Sequence, residues 1–127
     1  GVHSVVNVSL RKDDALESAG RLIGMVYRFE PMSDSRHIEA ARVQKLAADV
    51  ASYMAGGGVF VHCDSGRNRS LLIAALALRI VTGWEPQAVV VALRAARPDA
   101  LANRAFESFV LSGGAIPATL FGAGHGA

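Results

Sequence analysis

Cys63 and Arg69 stand near the two ends of a short polar stretch, His62-Cys63-Asp64-Ser65-Gly66-Arg67-Asn68-Arg69-Ser70. A cysteine is a strong nucleophile once deprotonated, and an arginine can hold two oxygens of a phosphate at once. On one loop, the two residues point to phosphoryl transfer through a cysteinyl-phosphate. Such chemistry needs a particular setting. Gly58 to His62 (Gly-Val-Phe-Val-His) reads as a short buried strand, and Leu71 to Val81 as a helix that is apolar nearly all round. A chain running from strand through loop into helix turns backbone N–H groups inward and adds the positive end of the helix dipole. These donors, with a nearby cation, stabilise a thiolate, so Cys63 is expected to have a lowered pKa. The alternative is a buried structural cysteine beside a solvated arginine. That reading leaves Gly66, Arg67 and the Ser70 hydroxyl unexplained.

The string resembles the signature of the cysteine-dependent protein tyrosine phosphatases, and in particular their compact dual-specificity branch. Cys-x5-Arg alone is a weak signal. The full string with its flanking strand and helix is a specific one. Arg97-Pro98, Asn103 and Phe106 also match positions at which the family carries an Arg-Pro, an Asn and an aromatic. The resemblance covers nearly the whole chain except its last residues. It implies a phosphatase acting on phosphotyrosine, with phosphoserine and phosphothreonine as further substrates.

Four roles follow for such an enzyme. Cys63 is the nucleophile. Arg69 and the N–H groups of Asp64, Ser65, Gly66, Arg67, Asn68 and Arg69 bind the phosphate. The acid for the leaving oxygen belongs on a loop able to swing over the pocket, and Asp34 in Pro31-Met32-Ser33-Asp34 is the candidate. The resemblance supports it, because the family bears its acid on a Pro-x-x-Asp loop at about this separation from the cysteine. The same Asp would later act as base for water. Its alternative role is only to cap the following helix. Glu30 and Asp64 are the fallback acids, with the Asp64 side chain expected to point away from the incoming anion. The resemblance makes the Ser70 hydroxyl the group that stabilises the departing thiolate. Arg67 adds charge at the rim and would favour acidic or multiply phosphorylated substrates, or is simply solvated. His62 is expected to order the loop by hydrogen bonding rather than to serve as the base.

Length and composition narrow the remainder. With 127 residues, 51% of them hydrophobic, the chain has material for one domain with a core. A net charge of +2 does not call for nucleic acid. The single cysteine excludes an internal disulfide, and a thiol that must stay free implies a reducing, cytoplasmic setting. No stretch reads as membrane-spanning or as a signal peptide. His3, His37, His62 and His125 lack metal-ligand spacing, so no metal or cofactor is expected. Gly122-Ala-Gly124-His-Gly126 follows no strand and reads as tail rather than as a dinucleotide loop. The expected partner is a phosphorylated protein or peptide, without nucleic acid or membrane. Oligomeric state is not set by the sequence.

In chain order, the pattern predicts a strand at Val2 to Val8 and a solvated connection over Ser9 to Gly20, with a brief helix starting at Asp13 or Asp14. A second strand is expected over Leu22 to Phe29, then a helix from about Arg36 to Met54 capped by Asp34 or Ser35. After the anion loop come a central helix, a helix from Pro86 to about Ala96, and a last helix from about Leu101 to Leu111. This order gives an α/β fold: a small, mostly parallel central sheet flanked by helices, with the phosphate-binding loop between a central strand and a buried helix. Residues 1–112 would form the catalytic domain, lacking the strand and helix that precede this point in the family. Residues 113–127 would form a flexible Gly/Ala-rich tail.

Three other functions fit the same residues less fully. A phosphoinositide or RNA 5′-phosphatase would share the loop. A phosphate-binding module without turnover would be expected to have lost the nucleophile or the clamp, and both are present. A rhodanese-like sulfurtransferase loop runs Cys-x4-Arg, one residue shorter than here.

Overall fold

The computed structural model describes residues 1–64 and 66–114. Three parallel strands form the sheet in the order β2-β1-β3, with β1 (Val2–Asn7) in the middle, β2 (Val26–Phe29) on one side and β3 (Gly58–His62) on the other. Parallel neighbours require crossovers, and helices α1 (Asp14–Leu22) and α2 (Ala40–Ala55) supply them. Three more helices follow β3: α3 (Arg69–Thr82), α4 (Pro86–Ala96) and α5 (Arg104–Leu111). The architecture is the expected α/β layering with a small parallel sheet.

The apolar character of α3 places it at the centre. Leu72, Ile73, Ala75, Leu76 and Ala77 are buried, packed among Val43, Leu46, Ala47 and Val50 of α2, Val89 and Val90 of α4, and Phe106 and Val110 of α5. Val6 and Val8 bring the central strand into the same core. Strand β3, which leads into the Cys63 loop, is an edge strand with no fully buried residue, not the buried, central strand expected. The middle of the sheet goes to β1, Phe60 faces outward, and only Val59 and Val61 lean on the core, so the loop's firm support comes from α3.

Several boundaries differ from the sequence expectation, each for a local reason. Helix α1 runs past Gly20, which is buried close against Met25. It ends before Gly24, whose φ of +74° suits a glycine after a helix. Leu22 thus belongs to the helix and is 89% exposed, and β2 begins only at Val26. The stretch after β1 is not wholly solvated. Asn7 is buried; its Nδ2 donates to the Arg11 carbonyl at 2.8 Å and to the Tyr27 hydroxyl at 3.0 Å, while its Oδ1 accepts from Ser9 N–H at 2.9 Å. Helix α2 begins at Ala40, after Glu39 in the cap position, so neither Asp34 nor Ser35 caps it. Helix α5 begins at Arg104 because Leu101 has a φ of +57° and Asn103 caps the first turn, accepting from Ala105 N–H at 3.0 Å and Phe106 N–H at 3.2 Å. Gly113 and Gly114 continue from α5 as a turn, with Gln44 donating to the Gly114 carbonyl at 3.0 Å. The remainder of the expected tail, including Gly122 to Gly126, lies outside the described residues.

A polar cluster ties β2 to α2. Arg28 donates to Asp49 at 2.6 Å, to Tyr53 at 2.9 Å and to Glu30 at 3.0 Å. Lys45 adds a contact to Asp49, and Arg42 one to Glu30. Partial burial pulls the Arg28 pKa down, but its hydrogen bonds to Asp49, Tyr53 and Glu30 outweigh that and the net shift is upward. Burial pushes the Asp49 and Glu30 carboxyls up. Hydrogen bonds from Arg28, then from Lys45 or Arg42, more than offset it, and both end below the ordinary carboxylate range. Among the described residues, no helix is long and apolar enough to cross a membrane.

Candidate active site

The loop from Cys63 to Arg69 folds back on the cysteine. Gly66 N–H donates to Cys63 Sγ at 3.2 Å, and Ser70 Oγ lies 3.3 Å from the same sulfur. Gly66 has φ +67°, open to glycine at little cost, and a Cβ there would also sit 3.0 Å from Arg97 Nη1. Ser65 lies outside the described residues.

Arg69 is nearly buried. Its Nη1 donates to the Met32 carbonyl at 3.2 Å and its Nη2 to Asp64 at 3.2 Å, while Nε has no partner among the described residues. A buried guanidinium with one orphaned donor, at the end of the loop that begins with the thiol, suits an oxyanion that could accept from it. The Asp64 carboxylate does not turn away from the clamp as expected. It contacts the very guanidinium that would hold a phosphate.

Asp34 is brought to this loop by side chains remote in sequence. Its Oδ2 accepts from Asn68 Nδ2 at 2.8 Å and its Oδ1 from Asn103 Nδ2 at 2.7 Å. Asn68 is buried, and its Oδ1 accepts from the Asn103 backbone N–H at 2.8 Å. The Asn68 side chain therefore spans from the Cys63–Arg69 loop to the acid candidate and to the cap of α5. It is not aimed at the cradle, and only its main chain remains for an anion. Met32 and Ser35 lend carbonyls to the same junction, to Arg69 and to Asn103. The surroundings of the fallback acid Glu30 suit an ion pair better than an acid. Burial raises its pKa, but Arg28 and Arg42 outweigh that and hold it as a carboxylate in an ion-pair cluster.

At the rim, Arg67 Nε and Asp99 are 4.0 Å apart, Arg97 Nε and Asp99 are 3.2 Å apart, and both arginines are about half exposed. Leu101 N–H donates to the Arg67 carbonyl at 2.8 Å, so the segment before α5 buttresses the loop between Cys63 and Arg69. The His62 ring stacks on Phe60 with centroids 5.3 Å apart, and its Nε2 is buried without a partner among the described residues. The expected ordering of the loop by a His62 hydrogen bond is not made through that nitrogen. Among the described residues no cluster of three or more His, Cys, Asp or Glu is arranged to hold a metal.

Two contributors escaped the sequence reading. The Met32 carbonyl carried no signal, since any residue has one. The Asn68 side chain did carry a weak one: a carboxamide at the entry of an apolar helix that makes no cap hydrogen bond of its own.

No protein-family model matches the chain, and no curated protein matches it in sequence. Solved structures do. Human DUSP28 is similar at 25% identity with a TM-score of 0.72, over 88% of this chain and 76% of that one. A mouse protein assigned as a dual-specificity phosphatase, complexed with zinc tungstate, is similar at 24% identity and TM-score 0.73, over 88% of this chain and 69% of that one. TpbA of P. aeruginosa is similar at 22% identity and TM-score 0.68, over 89% of this chain and 71% of that one.

Proposed function

We propose that this chain, which has the fold of the dual-specificity and tyrosine phosphatases, hydrolyses phosphate monoesters through a cysteinyl-phosphate. The observation that carries the reading is the convergence on one loop of the Cys63 sulfur, the Gly66 N–H, the Ser70 hydroxyl and the nearly buried Arg69 with its orphaned Nε. The N–H and the guanidinium favour a thiolate at Cys63. The thiolate attacks phosphorus and forms the S–P bond. The P–O bond to the leaving group breaks as Asp34 gives that oxygen a proton. Arg69 and the loop amides hold the three phosphoryl oxygens, whose charge spreads in the transition state. Asp34, now a carboxylate, takes a proton from water as that water attacks phosphorus. The S–P bond breaks, phosphate leaves, and the Ser70 hydroxyl donates to the departing thiolate.

Phosphotyrosine in a protein or peptide is the leading substrate, since a substituted form of the similar TpbA was solved in complex with phosphotyrosine. The half-exposed Arg67 at the rim supports a second reading, a more highly charged substrate such as an inositol phospholipid or an RNA 5′ end. Hydrolysis of p-nitrophenyl phosphate tests the mechanism. Cys63→Ser is expected to abolish it, and activity that persists in that variant overturns the reading. Asp34→Asn is expected to lower turnover by about 10²-fold; a rate equal to wild type removes only the acid assignment. Phosphopeptides, inositol phospholipids and triphosphate RNA, assayed side by side, then separate the substrate classes.

A further inference from the structure

We infer that Asn68 is a positioning residue for leaving-group protonation: its carboxamide latches the Asp34 loop onto the phosphate-binding loop, so that the acid is docked before substrate arrives. This rests on the phosphatase reading above. Three facts carry it. Asn68 lies between Arg67 and Arg69, inside the loop that would hold the phosphoryl group. Its side chain is buried and engaged at both ends, with Nδ2 donating to Asp34 Oδ2 at 2.8 Å and Oδ1 accepting from the Asn103 N–H at 2.8 Å. Asn103 closes the ring by donating its own Nδ2 to Asp34 Oδ1 at 2.7 Å and to the Ser35 carbonyl at 2.9 Å.

A carboxyl oxygen has two lone pairs. One can accept from an amide while the other carries the proton to be delivered. Two amide donors on two different oxygens fix the plane of the carboxyl group, which a single contact would leave free to rotate. The acid on a mobile loop expected from the sequence is thus a docked acid in the fold. An ordering cost that a swinging loop meets at each turnover has already been met on folding. Arg69 adds a second tie between the same two loops through the Met32 carbonyl at 3.2 Å.

A positioning role predicts losses that depend on the leaving group. An activated aryl ester, such as difluoromethylumbelliferyl phosphate, leaves without much help. Phenyl phosphate needs the proton. Asn68→Ala is expected to lower kcat/KM for phenyl phosphate about tenfold more than for the activated ester, in the same direction as Asp34→Asn. The double variant should lose no more than Asp34→Asn alone. Asn68→Asp keeps the shape but loses the donor, and should show the same pattern. Tryptic cleavage after Arg36, in the latched loop, supplies a readout independent of turnover. Relative to cleavage at other arginines, it should speed up about fivefold or more in Asn68→Ala, the loop having lost a tie. Equal losses on both esters, additive losses with Asp34→Asn, or unchanged cleavage after Arg36 would each overturn the inference. A wild type inert toward both esters would instead overturn the phosphatase reading, and the cleavage pattern would still decide whether the latch exists.

Discussion

Arg28 and Arg69 are both largely withdrawn from solvent, with side-chain exposures of 23% and 9%, yet they are treated in opposite ways. Arg28 is saturated: two carboxylates and a tyrosine hydroxyl meet it at 3.0 Å or less, and the cluster joins a strand to a helix. Arg69, the more buried of the two, has among the described residues a carbonyl and a single carboxylate at 3.2 Å, and one donor without a partner. A buried charge without full compensation costs stability. The fold tolerates that cost at Arg69 and avoids it at Arg28. On the proposed function, the difference separates a guanidinium that holds the protein together from one kept ready for an incoming anion. Under-satisfaction in a well-packed setting marks function better than burial does.

Exchanging the two fates gives the largest expected effects. Arg69→Ala should lower kcat/KM for p-nitrophenyl phosphate about 10³-fold, from lost contacts to the phosphoryl oxygens. Its melting temperature should hold or rise, because an incompletely paired buried charge has gone. Arg28→Met should do the reverse. It leaves Asp49 and Glu30 half-buried without their main cation, at a cost of about 2 kcal/mol, or roughly 8 °C in melting temperature, with activity within about threefold of wild type. Calorimetry and steady-state kinetics on both variants check the pair. If Arg69→Ala melts well below wild type while Arg28→Met does not, the division of labour is wrong.

A smaller effect should appear with acid. Glu30 and Asp49 titrate lower in the folded protein than in the unfolded chain. Their pairing with Arg28 therefore stabilises above the ordinary carboxylate range, near pH 4, and is lost as pH falls through the lowered folded values. Denaturant midpoints between about pH 6 and 2 should fall less steeply in Arg28→Met than in wild type. Parallel curves would mean that the cluster does not carry the acid sensitivity.

The same contrast explains what the sequence could disclose. Cys63, Arg69 and Ser70 occupy one continuous stretch between an apolar strand and a buried helix, so the proposed nucleophile, clamp and hydroxyl are legible as a group, although the strand proves to be a partly exposed edge. The central place of α3 was legible because its residues are apolar on every side. Asp34 was legible as a chemical candidate but also as a helix cap. Only the pairing with Asn68 and Asn103, remote in the chain, shows that its oxygens are used elsewhere. The Arg28 cluster was invisible for a similar reason. A strand arginine says nothing of the Asp49 and Tyr53 that α2 brings opposite it. Two glycines near one helix end cannot be told apart from the string alone: Gly20 is buried within α1, and Gly24 makes the turn. Local strings disclose what one loop can do. Contacts between distant segments disclose what holds it still.

The finest test concerns the one carboxylate that, among the described residues, touches Arg69. Asp64 is mostly exposed, so its contact with the clamp adds little to stability. It is still a competitor, because an incoming phosphoryl oxygen must share or displace it at Arg69 Nη2. Asp64→Asn keeps the size and the backbone N–H but removes the negative charge. Tungstate, an oxyanion of similar shape, should then bind about two- to fivefold more tightly, read as a lowered inhibition constant or a larger rise in melting temperature at fixed tungstate. The gain should shrink as salt is added, since a largely exposed charge is screened. No comparable gain should follow at Arg28, where neutralising Asp49 removes a structural partner and has no anion to release. Weaker tungstate binding in Asp64→Asn would mean that this carboxylate orients the Arg69 guanidinium, and that Arg69 resembles Arg28 more closely than their partners suggest.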